Sequence, residues 1–198
     1  MIEIRTHGRG GQGAVVASKV LANALFRQEL HVQAFPAFGV ERRGAPVVAF
    51  TRFDRSPIRH RCEIYEPDHL IVLDQALTQT IDITAGLKPG GWIVINSRQK
   101  PDAFDFGDKY GLAVVDASEI AWRHKLGSRA TPIVNTAILG AFARATGLVE
   151  MESVFWAIDE AVPYHPEDNR AAAQDAFDET IMIEAAAGVV ARTLGDAS

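Results

Sequence analysis

Gly8, Gly10 and Gly13 stand at the spacing G-x-G-x-x-G inside the run HGRGGQG, residues 7–13. Glycines so placed let a chain reverse tightly and bring backbone N–H groups against an anion, which then sits at the positive end of a helix dipole. Gly8, Arg9, Gly10, Gly11, Gln12 and Gly13 therefore form the candidate cofactor-binding set, with a phosphate as the group they would cradle. A tight structural turn or a subunit contact remains the competing reading. Arg9 is the stronger charged ligand of the two residues flanking the glycines, and His7, at a strand end, reads as a capping residue. Gln12 has two readings, a ligand hydrogen bond or the turn backbone, and Asn135 has two as well, a ligand amide or a helix-start hydrogen bond.

A second concentration of chemistry lies at residues 42–61, where Arg42, Arg43, Arg52, Arg55, Arg59 and Arg61 face a single acid, Asp54. Arginine forks pair bidentately with phosphate, so Arg52, Arg59 and Arg61 are candidates for a polyanion such as the phosphates of coenzyme A. Salt-bridging to an acidic partner subunit, or a merely solvated hairpin, is the equal alternative. The neighbouring stretch PAFGVERRGAP, residues 36–46, carries Phe38 beside Glu41, Arg42 and Arg43 and follows Phe35. Leaving two phenylalanines in water costs about 1.5–3 kcal/mol each, so a partner surface is expected to cover that loop.

Other chemistry is missing. A dinucleotide dehydrogenase places an acid about 20 residues beyond its glycines to hold the ribose, whereas here the window reads HVQAFPAFG and the nearest acids are Glu29 and Glu41. Histidines are scattered without metal spacing, there is no G-x-S-x-G elbow, and Gly107-Asp108-Lys109 breaks the GDG of a thiamine site. Cys62 is the sole cysteine, so neither a four-iron cluster nor a structural zinc site can be built from this chain alone. It falls in a strand pattern and reads as buried and inert. No catalytic residue and no metal ligand is assigned.

The elements that must position these residues follow from periodicity. Ile2 and Ile4 alternate with Glu3 and Arg5 before the glycines, and Ala14, Val15, Val20, Leu21, Ala24 and Leu25 recur at helical spacing after them. Residues 31–35 read as a second strand. PVVAFTRF and PIRHRCEI alternate around DRS and read as an antiparallel hairpin. Buried strands are expected at 69–74, 91–96 and 112–117, with a helix at 75–86 ending at Gly86 and a short one opened by Ser118 and Glu119. Helices then run over 134–146, 151–161 and 167–194. The fold class is α/β: a doubly wound, mostly parallel, Rossmann-like sheet with an inserted antiparallel hairpin and a helical C-terminal part, in one domain spanning 1–198.

The segments HGRGGQGAVVASKVLANAL, QAFPAFGVERRGAPVVAFTR and IYEPDHLIVLD together resemble the gamma subunit, or gamma domain, of the pyruvate and 2-oxoacid ferredoxin oxidoreductases. PIVNTAILGAF and PEDNRAAAQDAF are looser echoes. The resemblance implies one subunit of a multisubunit enzyme of anaerobic metabolism that oxidatively decarboxylates a 2-oxoacid to an acyl-coenzyme A and passes electrons through iron–sulfur clusters to an acceptor. Pyruvate, indolepyruvate, 2-oxoglutarate, phenylglyoxylate and oxalate are the substrates of such relatives, the last without coenzyme A. The resemblance places thiamine diphosphate and the four-iron clusters on alpha, beta and delta-type partner subunits, and the acceptor is a ferredoxin, a flavodoxin or an NAD-reducing subunit. It also implies that the glycine turn and the 36–46 loop face the active-site region, and that the isolated chain is inactive. Two other functions compete: a free-standing NAD(P)- or flavin-dependent oxidoreductase, and a purely structural assembly subunit.

Composition sets outer bounds. The 198 residues are 47% hydrophobic, enough for a sizeable single core. A formal charge of −5 argues against a general nucleic-acid partner. No apolar run approaches the roughly 18 residues of a membrane span. Glu3 and Arg5 interrupt any signal-peptide core, so a cytoplasmic location is expected.

Overall fold

The computed structural model describes residues 1–37, 44–190 and 193–194. Strand β1 (Ile2–Arg9) is the organising element. Its even residues Ile2, Ile4 and Thr6 are buried on one face, while Glu3, Arg5, His7 and Arg9 share the other, as a strand's period of two requires. On one side β1 pairs in parallel with β4 (His69–Val72), which is followed by β5 (Trp92–Asn96) and β6 (Gly111–Val115), also parallel. On its other side it pairs antiparallel with β3 (Pro46–Asp54), whose outer edge is taken by β2 (His31–Pro36). The short β7 (Ile181–Ile183) closes the far side antiparallel to β6, giving the order β2-β3-β1-β4-β5-β6-β7.

Among the described residues there are five α-helices: α1 (Ala14–Arg27), α2 (Ala117–Arg123), α3 (Ala137–Thr146), α4 (Met151–Ala161) and α5 (Pro166–Glu179). Ala17, Val20, Leu21, Ala24 and Leu25 of α1 pack with Ile2, Ile4, Ala49 and Phe53, and Ile138 and Phe142 of α3 extend the same core under β5 and β6. Helices α3 and α5 meet closely, because a Cβ on Gly140 would lie only 1.8 Å from the Ala173 carbonyl oxygen. That close approach is what lets α5, polar on average, be held by the small buried residues Ala172, Ala173 and Ala176 together with Asn169. The opposite face carries Leu70, Val72, Ile93, Ile95, Leu112 and Val114, covered by Leu77, Ile83 and Leu87 from turns rather than from long helices.

Four expectations change. PIRHRCEI forms no second strand of a hairpin, because both edges of β3 are already taken, by β1 and by β2. The inserted antiparallel element is therefore β2 with β3, and residues 57–62 run as a loop in which Arg59, His60 and Arg61 are exposed. Cys62 is exposed too, not buried in a strand. The helix expected at 75–86 is a 3-10 turn, Gln75–Gln79. Asp82 then turns the chain by accepting the Thr84 amide at 3.0 Å, and Thr80, Ile81 and Ile83 add β-branched residues that disfavour a helix. The last helix stops at Glu179, where Ile181 and Ile183 leave it to fill the free edge of β6. Among the described residues no helix is long and apolar enough to cross a membrane.

Candidate functional site

The glycine turn links the end of β1 to the start of α1 at the carboxyl edge of the parallel strands, the place where open α/β sheets bind ligands. Close packing comes first: a Cβ on Gly8 would lie 3.2 Å from both Ala14 Cβ and Leu73 Cδ1, so strand, helix and β4 converge there. Gly11 (φ 97°) and Gly13 (φ 80°) then turn the chain in the left-handed region. Gly13 is the N-cap of α1. No side chain caps that helix and no acid occupies its first turn, so its leading amides face the cavity with their positive dipole end uncompensated.

Polar side chains brace the turn from outside. The Gln12 Oε1 accepts the Arg9 amide at 2.7 Å, and Gln12 Nε2 donates to Asp74 Oδ2 at 3.2 Å. Arg9 Nε donates to that same oxygen at 2.8 Å, and Arg9 Nη1 reaches the Gly44 carbonyl at 3.3 Å. Asp74, just beyond β4, also accepts the Ala76 amide on Oδ1. Partial burial pushes its carboxyl up, but the Ala76, Gln12 and Arg9 bonds together outweigh burial and hold it below the usual carboxylate range. Backbone bonds from Gly10 N to the Ala45 carbonyl and from Gly44 N to the Gly10 carbonyl tie the turn to the entry of β3.

Two adjoining cavities of about 290 and 430 Å³ open onto the turn and share Gln12, Leu73, Asn96, Ser118 and Pro132. Asn96, at the end of β5, donates to the Leu73 carbonyl at 2.9 Å and to Ser118 Oγ at 3.0 Å, joining β4 to α2. Asn135, just ahead of α3, is 9% exposed, lines the larger cavity and makes no side-chain hydrogen bond among the described residues. Its Nδ2 lies 2.5 Å from where a Gly13 Cβ would stand, so an unpartnered amide borders the uncapped helix start. Arg98 and Arg129 line the smaller cavity, the first beside Asp116 at 3.3 Å and the second over the Trp122 ring at 5.0 Å. The arrangement suits an anion at the helix start with polar groups extending along the strand ends.

The candidate residues thus divide. Gly8, Arg9, Gly10, Gly11, Gln12 and Gly13 come together in one turn beside the cavities. Arg52 does not join them. It is fully buried, 3.2 Å from Glu3 Oε1, bonded to the Cys62 carbonyl, and its guanidinium lies 5.2 Å from the Phe35 ring centroid. The register pairs Arg52 with Glu3 and Pro46 with Arg9, so about 20 Å of strand, at roughly 3.3 Å per residue, separates Arg52 from the turn. Arg59 and Arg61 are exposed in the loop beneath β2, where Arg61 lines a shallow hollow with Phe35. The grouping of Arg52, Arg59 and Arg61 as one polyanion site is therefore replaced by a buried ion pair and a separate exposed loop.

His7 is buried rather than capping. Arg5 Nε donates to its Nε2 at 3.0 Å, and burial first, then the Arg5 charge, holds its imidazole down at about 3, so it stays neutral at physiological pH. Phe35 lies in β2 against Phe50. Phe38, Glu41, Arg42 and Arg43 fall outside the described residues. Asp74, Asn96 and Ser118 are not marked as site residues by the sequence, although an acid closing the apolar strand HLIVLD is visible in it. Nor does the site have dinucleotide geometry, since the strand beside β1 on the β2 side is the antiparallel β3, which puts β2 one strand further away. No group of His, Cys, Asp and Glu able to hold a metal exists among the described residues.

The same fold occurs in known proteins. A model of the family described as pyruvate ferredoxin/flavodoxin oxidoreductase matches residues 3–179. The "Pyruvate/ketoisovalerate oxidoreductases common subunit gamma" of Thermococcus kodakarensis is 54% identical over 188 residues, 93% of this chain and all of that protein. The crystal structure of pyruvate oxidoreductase subunit PORC of Thermotoga maritima superposes with a TM-score of 0.76 at 32% identity, covering 92% of this chain and 98% of the other. A 2-oxoglutarate:ferredoxin oxidoreductase of Magnetococcus marinus, described with 2-oxoglutarate, coenzyme A and succinyl-CoA bound, shares the fold at a TM-score of 0.66 and 21% identity over 89% of this chain and 30% of that one. The chain accordingly belongs to the pyruvate ferredoxin/flavodoxin oxidoreductase family, as a gamma-type subunit of these multisubunit oxidoreductases.

Proposed function

We propose that this subunit supplies part of the active-site wall of a 2-oxoacid:acceptor oxidoreductase and holds a phosphate of coenzyme A on its glycine turn. The observation that carries the reading is the uncapped start of α1 with the unpartnered Asn135 amide beside Gly13. The overall reaction takes a 2-oxoacid, coenzyme A and an oxidised acceptor to an acyl-coenzyme A, carbon dioxide and an acceptor carrying two more electrons. Thiamine diphosphate and iron–sulfur clusters do the carbon and electron chemistry on alpha, beta and delta-type partners. One cysteine cannot ligate a cluster here. This chain's residues bind and orient: the Gly11–Gly13 backbone and Arg9 meet the anion, Gln12 and Asp74 fix Arg9, and Asn135 donates an amide hydrogen.

The test is made on the assembled complex. Asn135→Ala raises the Michaelis constant for coenzyme A about tenfold and leaves that for the 2-oxoacid nearly unchanged. Equal constants for coenzyme A in both enzymes overturn the assignment. For Arg59 and Arg61 the docking reading is favoured, because they sit under β2, apart from the turn and its cavities. The free-standing NAD(P) or flavin alternative requires stoichiometric cofactor on the isolated chain, which a visible spectrum and cofactor assay would reveal.

A further inference from the structure

The far edge of the sheet differs from the glycine edge. Strand β7 is last in order, and Ile181 and Ile183 stand opposite Val114 and Leu112 on the sheet face not covered by the helices, 53% and 50% exposed. Natural edge strands are usually guarded by charge or by proline within the strand, whereas this one is Ile-Met-Ile. Beside it on the same face opens a cavity of about 260 Å³. Its floor includes Phe104 and Phe106, stacked with centroids 5.8 Å apart and rings 11° from parallel. Its rim carries Asp102, Asp108 and Glu184, with no cation in the lining and, among the described residues, no ion pair to any of the three carboxylates.

We propose that β7 and this cavity dock an extended basic segment of another subunit of the oxidoreductase, which adds a strand to β7 and lays one Lys or Arg side chain over Phe104 and Phe106. The added strand satisfies the open backbone groups and covers the two isoleucines, and alternate side chains reach the cavity. A long basic side chain fits because its stem packs on the rings while its head meets the carboxylates. A second copy of this chain does not fit. Antiparallel pairing of two β7 strands about Met182 would set Glu184 of each opposite Thr180 of the other and next to Glu179, whose charge Arg123 already meets, so a second copy brings no cation to the acidic rim. The proposal rests on the chain's being a subunit and is independent of what the glycine turn holds.

Hydrogen exchange of the full chain, alone and in the assembled complex, is the direct test: the amides of residues 180–184 should exchange about tenfold more slowly in the complex. The exposed triple variant Asp102→Asn, Asp108→Asn, Glu184→Gln should melt like wild type yet assemble about tenfold more weakly, with a reduced dependence on salt. Unchanged exchange in the complex, wild-type assembly of the variant, or protection already present in a homodimer of the isolated chain overturns the proposal.

Discussion

The side-chain nitrogen of Asn135 stands 2.5 Å from the position a Cβ on Gly13 would take, so the glycine turn is bounded by the loop that leads into α3. Gly13 also has φ 80°. Gly13→Ala therefore meets both backbone strain and a contact, and should cost more than about 1 kcal/mol. Gly11→Ala, with φ 97° but open space around its Cβ, meets strain alone and should cost roughly 1 kcal/mol. Thermal melts rank the two. Adding Asn135→Ala to Gly13→Ala should recover part of the loss, and melts indistinguishable from wild type would refute the strict turn.

Asp74 holds Arg9 and Gln12 on one carboxylate oxygen. Asp74→Asn should destabilise the chain by about 1 kcal/mol at neutral pH, and in the assembled enzyme weaken coenzyme A more than the 2-oxoacid. The folded carboxyl titrates below its ordinary value of 3.8. Its contribution is thus fully present above that value and lost as pH falls through the folded pKa. Denaturant titrations below pH 4 should show a shallower acid loss in the Asn variant, and identical acid limbs would contradict the role.

His7 sets a different pH limb. Its folded pKa of about 3 lies below the ordinary 6.5, so the unfolded chain takes up a proton that the native one refuses. Stability attributable to His7 is complete above pH 6.5 and declines as pH falls toward 3. His7→Asn should flatten the slope between about pH 4.5 and 6.5, measured by urea unfolding at several pH values. A variant with the wild-type slope would show that another group governs that range.

Arg52 and its neighbours in sequence should separate cleanly by variant. Arg52→Ala leaves Glu3 without its buried partner and should cost about 3–5 kcal/mol. Arg59→Glu and Arg61→Glu, both exposed, should stay within about 0.5 kcal/mol of wild type by thermal melt. If those two dock a partner, gel filtration of the co-expressed complex shows loss of assembly with an unchanged Michaelis constant for coenzyme A. A raised constant with intact assembly would return them to phosphate binding.

The sequence by itself determined the strand, glycine turn and helix at the N-terminus, the buried strands β4, β5 and β6, and the absence of a cluster-binding cysteine set. These are local facts, since Gly11 and Gly13 must turn whatever surrounds them and four apolar residues in HLIVLD demand burial. Tertiary structure decided what those elements meet. PIRHRCEI has a strand's alternation, yet no edge of β3 was left for it, and Arg52 became a buried partner of Glu3 instead of a ligand. The C-terminal run was helical by composition until the vacant edge of β6 drew Ile181 and Ile183 into a strand. Asp74 closes a strand 62 residues after Gln12, and Asn135 lies further still, so their convergence on the turn depends on which strands are neighbours. Pairing of distant edges is a property of the whole sheet, which local periodicity does not encode.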